Sequence, residues 1–384
     1  MTNELEKLIG EYLAMRSGAL PVPEGQHPGQ YLNSKIELIE PVSRLAKSTV
    51  SMGPANGGAS GSGLAGTFVR SLADAGRDAA HIAVSLVRQI GKNSYTYYDT
   101  YAISGVSVDR RISISDNIYI VPNDQAPKGW FTDHIFTDFR FPSPFGDREF
   151  RKSEDAALII ERVVSPALVD GEARTDDEAH AWEDERHRLT QLLMLSISLV
   201  TGGFSGIRNR TYTYEEDSLF GLMGQGIFGG TSRYPKGSNK LLKDGAEVAK
   251  YLQKLSDFSY PRAIELAAMR LLKSRSLSTI EDSIIDLGIA IEVLLVQGSR
   301  QEISMRAALR GAFLLSSEPV ERRKLYESFR DLYNARSATV HDGETPKKFR
   351  RRLAEWDQLI DRLIKSLLAR GEFPDWDTLV LGAT

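Results

Sequence analysis

The stretch LYESFRDLYNARSATVH, Leu325 to His341, decides how the last third of this chain folds. Stepped at about 100° per residue from Leu325, Phe329 falls near 40°, Leu332 near 340°, Tyr333 near 80° and Val340 near 60°. These positions form one apolar stripe, which predicts an amphipathic helix. Pro319 suits its first turn, and Asp342-Gly343 is a C-terminal stop, so the helix is expected over Pro319 to His341. Arg336 falls at about 20° on the same wheel, in the middle of the stripe. A guanidinium facing a core is costly without a partner, so Arg336 calls for a carboxylate or a phosphate.

Outward from this helix, the same periodicity predicts Pro261 to Ser274, Thr279 to Gln297, Glu302 to Leu315 and Pro346 to Arg370. Connections this short imply antiparallel neighbours in an all-α up-and-down bundle. Within the second of these helices, Ile289 to Val296 is apolar all round except for Glu292. Such a helix is expected to be buried, and a lone buried glutamate needs a cation. Glu292 is therefore expected to hold Arg336, within one chain or across a dimer. The same pair also reads as a purely structural tie that fixes helix register.

His341 closes the Arg336 helix, where the dipole favours imidazolium. Alone, a histidine at a helix end reads as a cap. Directly after it comes KKFRRR, with Lys347, Lys348, Arg350, Arg351 and Arg352 in the opening turns of the last helix. Cations there oppose the dipole and repel each other, and a phosphate backbone relieves both effects. A solvated basic face is the simpler reading of the same run.

The first 256 residues read differently. Two short helical stretches flank the Pro/Gly-rich segment Pro21 to Gly29. The glycine-rich run Gly53 to Gly66 lacks the Gly-Lys-Ser/Thr ending of a P-loop and reads as a loop. Thr67 to Lys92 suggests one helix. From residue 94 to 122, β-branched and aromatic residues alternate with polar ones, and Gly105 and Asp116-Asn117 mark turns, so a strand meander is expected. Ala156 to Val164 and RNRTYTYEE, starting at Arg208, add strands. Between them an acidic helix runs to Val200 and stops at Gly202-Gly203. Its His180, Glu183 and His187 share a face and would suit a metal in a third, hydrolase reading. A solvated acidic helix is the better reading of them, because the spacing is not the His-Glu-x-x-His of zinc proteases. The fold class expected is thus α+β, divided as an N-terminal region over residues 1–170, an acidic helix with strand and loop over 171–256 that goes with it, and a helical bundle over 257–384.

Composition bounds the chemistry. Of the 384 residues 41% are hydrophobic and 26% charged, enough apolar material for a sizeable core, and no internal repeat is visible. The absence of cysteine excludes disulfides, thiolate catalysis, cysteine-held zinc and iron–sulfur clusters, and agrees with a reducing compartment. MTNELEKLIGEYL carries glutamates where a secretory signal carries basic residues, and the apolar run Leu192 to Val200 is about half of what crosses a bilayer. A cytoplasmic protein without a membrane anchor is expected. The net charge of −3 excludes a wholesale coating of nucleic acid. Residues 257–384 hold 20 basic against 19 acidic side chains, which leaves about −4 for the remainder and makes the C-terminal part the better phosphate binder.

The run LYNARSATVHDG, Leu332 to Gly343, resembles the signature of HEPN domains, whose RNA-cleaving members share an arginine, four to six intervening residues and a histidine. An apolar helix with an embedded glutamate (Ile291-Glu292-Val293), then ISMRAALRGAFLL, then the arginine–histidine helix is similar to the Apea-like HEPN group. The likeness covers about 110 residues and is thinner upstream, in the meander and LSISLVTGG. It implies a metal-independent endoribonuclease without a cofactor, acting as a homodimer whose two motifs meet. His341 would act as base on the ribose 2′-hydroxyl, Arg336 would stabilise phosphoryl charge, and a 2′,3′-cyclic phosphate would result. An antiviral or toxin-like setting follows, with the N-terminal region as sensor or restraint answering a regulatory protein or phage trigger. Two departures stand out. Ser337 follows the arginine where many active members have Asn, Asp or His, and is a weaker polar aid. Gly343 stands where nucleotidylated toxins carry their modified tyrosine. A non-enzymatic interaction or RNA-binding module is the competing expectation.

Overall fold

The computed structural model describes residues 2–51, 59–128, 135–136, 156–165, 167–169, 176–215, 218–220, 228–229, 239–276, 279–296 and 302–382. The chain is α+β: a sheet with helices in the N-terminal half, and helices alone toward the C-terminus. Helices α1 (Thr2–Arg16), α2 (Pro28–Ile36), α3 (Val42–Ala46), α4 (Leu64–Asp74) and α5 (Ala79–Ile90) come first. The single helix expected over Thr67 to Lys92 is two. Gly76 takes φ 75°, and Asp78 caps the second helix by accepting the His81 N–H at 2.8 Å. Apolar spacing continues through that break because both helices bury apolar residues in the same core.

Strands form where expected but not as a meander: β3 (Tyr95–Ser104) pairs antiparallel not with the strands next to it in the chain but with β7 (Ala156–Val164) on one side and β9 (Gly206–Tyr214) on the other. With β5 (Ile112–Ser113), β6 (Ile118–Pro122) and β10 (Phe228–Gly229) they make a six-stranded sheet in the order β10-β9-β3-β7-β6-β5. Short pairings lie outside it: β1 (Thr49–Ser51) between β2 (Ala59–Ser60) and β8 (Ala167–Val169), and β4 (Val106–Ser107) parallel to β11 (Lys240–Leu241). Residues Asp99 to Ser104 of β3 are all buried, so both faces of the sheet are covered there. Residues 52–58 of the glycine-rich run lie outside the described residues, as do 221–227 and 230–238 of a second glycine-rich stretch that the sequence places as a loop after the strand starting at Arg208.

The acidic helix is α6 (Asp176–Thr201), ended by Gly202 at φ 65°. Its apolar second half serves two cores. Leu193, Met194 and Ile197 pack on the sheet with Tyr101, Ile103 and Leu158. Leu192, Leu195 and Leu199 pack instead with the C-terminal helices. Those helices are α7 (Gly245–Asp257), α8 (Pro261–Ser274), α9 (Ile280–Leu295), α10 (Ile303–Leu315), α11 (Pro319–Asp342), α12 (Lys347–Arg350), α13 (Leu353–Arg370) and α14 (Trp376–Leu381). Arg275 locks α6 to this assembly: its guanidinium donates to Asp357 Oδ1 and Oδ2 at 2.8 and 2.9 Å, to Asp361 at 3.0 Å, and to the Ser198 carbonyl and hydroxyl at 3.1 and 3.0 Å. The helix expected from Pro346 to Arg370 is interrupted at Arg351-Arg352, where α12 ends and α13 begins. No helix among the described residues is long and apolar enough to cross a membrane.

Candidate functional site

Helix α9 starts on Thr279, whose hydroxyl accepts the Asp282 N–H at 3.1 Å, and α11 ends on Gly343 at φ 76°, whose N–H reaches the Thr339 carbonyl at 3.1 Å. Gly288 of α9 lies beneath Arg336 of α11: a Cβ there would stand 2.8 Å from Arg336 Cβ and 2.5 Å from its Cγ. Only a glycine leaves room for an arginine stem crossing at that distance. One turn further along α9, Glu292 Oε2 is 3.6 Å from an Arg336 terminal nitrogen. Both side chains keep about a quarter of their surface, 26% for Arg336 and 27% for Glu292. The guanidinium therefore sits at the rim of the helix contact, and Glu292 is not sealed in the core as expected. Arg336 Nε is buried and has no hydrogen-bond partner. A distance of 3.6 Å is an ion pair without a hydrogen bond, so it leaves donors of the fork available to another anion.

The wheel explains the offset. On α11 the buried residues are Leu325, Ser328, Phe329, Leu332, Ala335 and Thr339, while Val340 is 49% exposed. Counting the small polar and alanine positions turns the buried face by about 50° away from Arg336, which becomes its border rather than its centre. Thr339 explains why a polar residue is tolerated inside: its hydroxyl donates to the Ala335 carbonyl and meets the Thr345 hydroxyl, each at 2.8 Å. That second contact pins the turn after the helix. His341 lies in the last turn and is exposed, and Ser337 is half-buried one residue past the arginine. About 140° and ~7.5 Å along the axis separate Arg336 from His341 on one helix. A single chain thus presents the arginine and the histidine on one helix but turned well apart, and does not close them around one phosphate.

The basic run divides. Arg352 donates to Glu355 at 3.0 and 2.6 Å, to Ser328 Oγ at 3.1 Å and to Asp331, and so ties the start of α13 to α11. Its hydrogen bonds hold the Glu355 carboxyl below the usual carboxylate range, with Ser328 helping against burial. Arg350 reaches Glu281 at 2.7 Å and the Thr345 carbonyl at 3.1 Å, which ties α12 to the start of α9. These two were expected to contact RNA, and in the folded chain their guanidiniums also have protein acceptors. Lys347, Lys348 and Arg351 are exposed, and Lys348 lies 4.6 Å from the centre of the Phe349 ring. The three form the cationic surface that remains for an outside anion.

Two features were missed in the sequence. Gly288 was unremarked, although a glycine inside an apolar helix costs about 1 kcal/mol against alanine and so marks a close approach. Asp99 reads in the sequence only as a polar member of residues 94–122, and Arg210 only as one of the strand that starts at Arg208. They form a buried pair, Nε to Oδ1 at 2.9 Å, with Tyr97 donating to the same oxygen at 3.1 Å. As for the suggested metal face, His187 is exposed and Glu183 pairs with Arg186, while the His180 side chain lies outside the described residues. Among the described residues no group of three or more potential ligands converges.

No family model, no curated protein and no solved structure matches this chain.

Proposed function

We propose that the protein is an endoribonuclease of HEPN type that works as a dimer and needs no metal. The observation that carries this reading is the guanidinium of Arg336, set across Gly288, held at 3.6 Å by Glu292 and still short of partners, five residues ahead of an exposed His341 on the same helix. In the proposed reaction His341 removes the proton of a ribose 2′-hydroxyl. The alkoxide attacks the adjacent phosphorus, the bond to the 5′-oxygen breaks, and that oxygen is protonated as it leaves. Arg336 stabilises the charge growing on the phosphoryl oxygens. Glu292 positions the arginine, Ser337 supplies a weak polar contact, and Lys347, Lys348 and Arg351 draw in the backbone.

A second copy is part of the proposal because of the geometry of one helix: two motifs face to face surround a phosphate that one motif only flanks. The test is incubation of the full-length protein with single-stranded RNA in the presence of a chelator. The expected outcome is cleavage to 2′,3′-cyclic phosphate ends, lost in Arg336→Ala and His341→Ala. A folded wild-type dimer that binds RNA and leaves it intact would instead establish the competing reading, a non-enzymatic RNA-binding module.

A further inference from the structure

We propose that the sheet face beneath the first half of α6 is a binding site for a multivalent anion of the phosphate class. The β3/β7/β9 register places Arg162 opposite Tyr97 and Arg210 opposite Tyr101. Helix α6 adds Trp182, Glu183 and Arg186 above them. The Arg162 and Arg186 guanidinium carbons lie 4.9 and 5.8 Å from the centre of the Trp182 ring, so one indole is shared by two cations. Arg186 also donates to the Tyr101 hydroxyl at 3.3 Å.

Charge on this wall is unbalanced. Among the described residues three guanidiniums face two carboxylates, and the fully buried Asp99 gives its Oδ1 to Arg210 and Tyr97 while its Oδ2 accepts no hydrogen bond. Glu183 is the only other carboxylate among the described residues to reach the arginines of this wall. It pairs with Arg186, stands 3.9 Å from Arg210, and is 41% exposed. Among the described residues no carboxylate lies within ion-pair distance of Arg162. The Nε atoms of Arg162 and Arg186 are both buried without an acceptor. Buried donors left without acceptors, next to a half-exposed glutamate, are what an anion site looks like when a weak internal anion occupies it. A phosphate brings more acceptor oxygens and more charge than Glu183, and displaces it. Asp99 then anchors Arg210 rather than touching the ligand.

The experiment is calorimetric titration of the full-length protein with inorganic phosphate, pyrophosphate and adenosine triphosphate, repeated at raised salt. Saturable binding of pyrophosphate or the nucleotide is expected, weaker at high salt, with the nucleotide arm distinguishing a bare phosphate site from one that also takes a base. Glu183→Gln removes the internal competitor and the carboxylate partner of Arg186, and should bind about tenfold more tightly. Arg162→Gln should bind about tenfold more weakly. No saturable binding by wild type and Glu183→Gln at millimolar ligand overturns the proposal, as does binding that Arg162→Gln leaves unchanged. Circular dichroism of each variant checks the fold. None of the residues of the Arg336 site takes part, so either site can fail alone.

Discussion

The stem of Arg336 crosses α11's neighbour at Gly288, so closely that a methyl group on that glycine would lie 2.5 Å from Arg336 Cγ. The clash is with atoms near the backbone of α11, which a rotamer change relieves poorly. Gly288→Ala gains about 1 kcal/mol of helix propensity and loses about 1–3 kcal/mol to overpacking. A net destabilisation of about 1 kcal/mol is expected, with a larger proportional loss of RNA cleavage because the guanidinium is displaced. Urea unfolding beside a cleavage assay measures both, and a variant as stable and as active as wild type would show that the crossing is unimportant.

Glu292→Gln tests the other contact of the arginine. Both partners are part-exposed and 3.6 Å apart, so the stability change should stay below about 1 kcal/mol. Cleavage should fall by about tenfold, because a misaimed arginine loses its advantage in orientation. Unchanged turnover in a normally folded variant removes Glu292 from the site.

The split of the basic run predicts two phenotypes. Substituting Lys347, Lys348 and Arg351 together by Gln should leave unfolding unaffected and lower the slope of log affinity for single-stranded RNA against log salt by about 0.7 per cation removed. Arg352→Gln should instead destabilise by about 1–2 kcal/mol, since Asp331, Ser328 and Glu355 lose a shared donor. Salt-dependent binding isotherms and thermal melts separate the two, and the reverse pattern contradicts the assignment.

Arg275→Gln is the strongest destabilising change expected. The guanidinium is 6% exposed and joins Asp357 and Asp361 of α13 to Ser198 of α6. Its loss leaves two carboxylates facing each other in a confined space, at a cost of about 3 kcal/mol. A melting temperature within a degree or so of wild type would mean the lock contributes little.

Alkaline titration follows from the buried tyrosines. Burial, with the Asp99 charge adding to it, raises Tyr101 from the ordinary 10 to about 12, and Tyr97 is raised well above its ordinary value by the same causes. The folded state holds these protons longer than the unfolded chain does. Their contribution to stability is therefore intact below about pH 10 and disappears as pH rises through the folded values. Tyrosinate absorbance followed together with circular dichroism should show exposed tyrosines ionising first and the buried ones only as structure is lost. All 14 tyrosines ionising in one step in a folded protein would refute it.

Much of the architecture was legible because long periodic segments leave little freedom. The helices expected at Pro261 to Ser274 and Pro319 to His341, and the strand at Ala156 to Val164, match within a residue. Boundaries failed where apolar spacing continues across a break. Gly76 and Asp78 divide Thr67 to Lys92, and Arg351-Arg352 divides the last helix. Arg336 and Glu292 stand out because each interrupts an apolar face, and His341 because it closes the helix five residues after the arginine and just before a basic run. Gly288 breaks its pattern by lacking a side chain, which leaves no chemical mark, and Asp99 with Arg210 looked like ordinary polar members of alternating strands.

The sequence by itself determined the α+β class, the C-terminal helices and the pairing of an arginine with a histidine five residues on, since these depend on periodicity and spacing along one chain. Tertiary structure decided how far Arg336 is buried, which cations of the basic run are already held by carboxylates, and that α6 belongs to two cores at once. Those properties depend on what a neighbouring element brings within a few ångströms. Packing, not local order, sets which donors stay free.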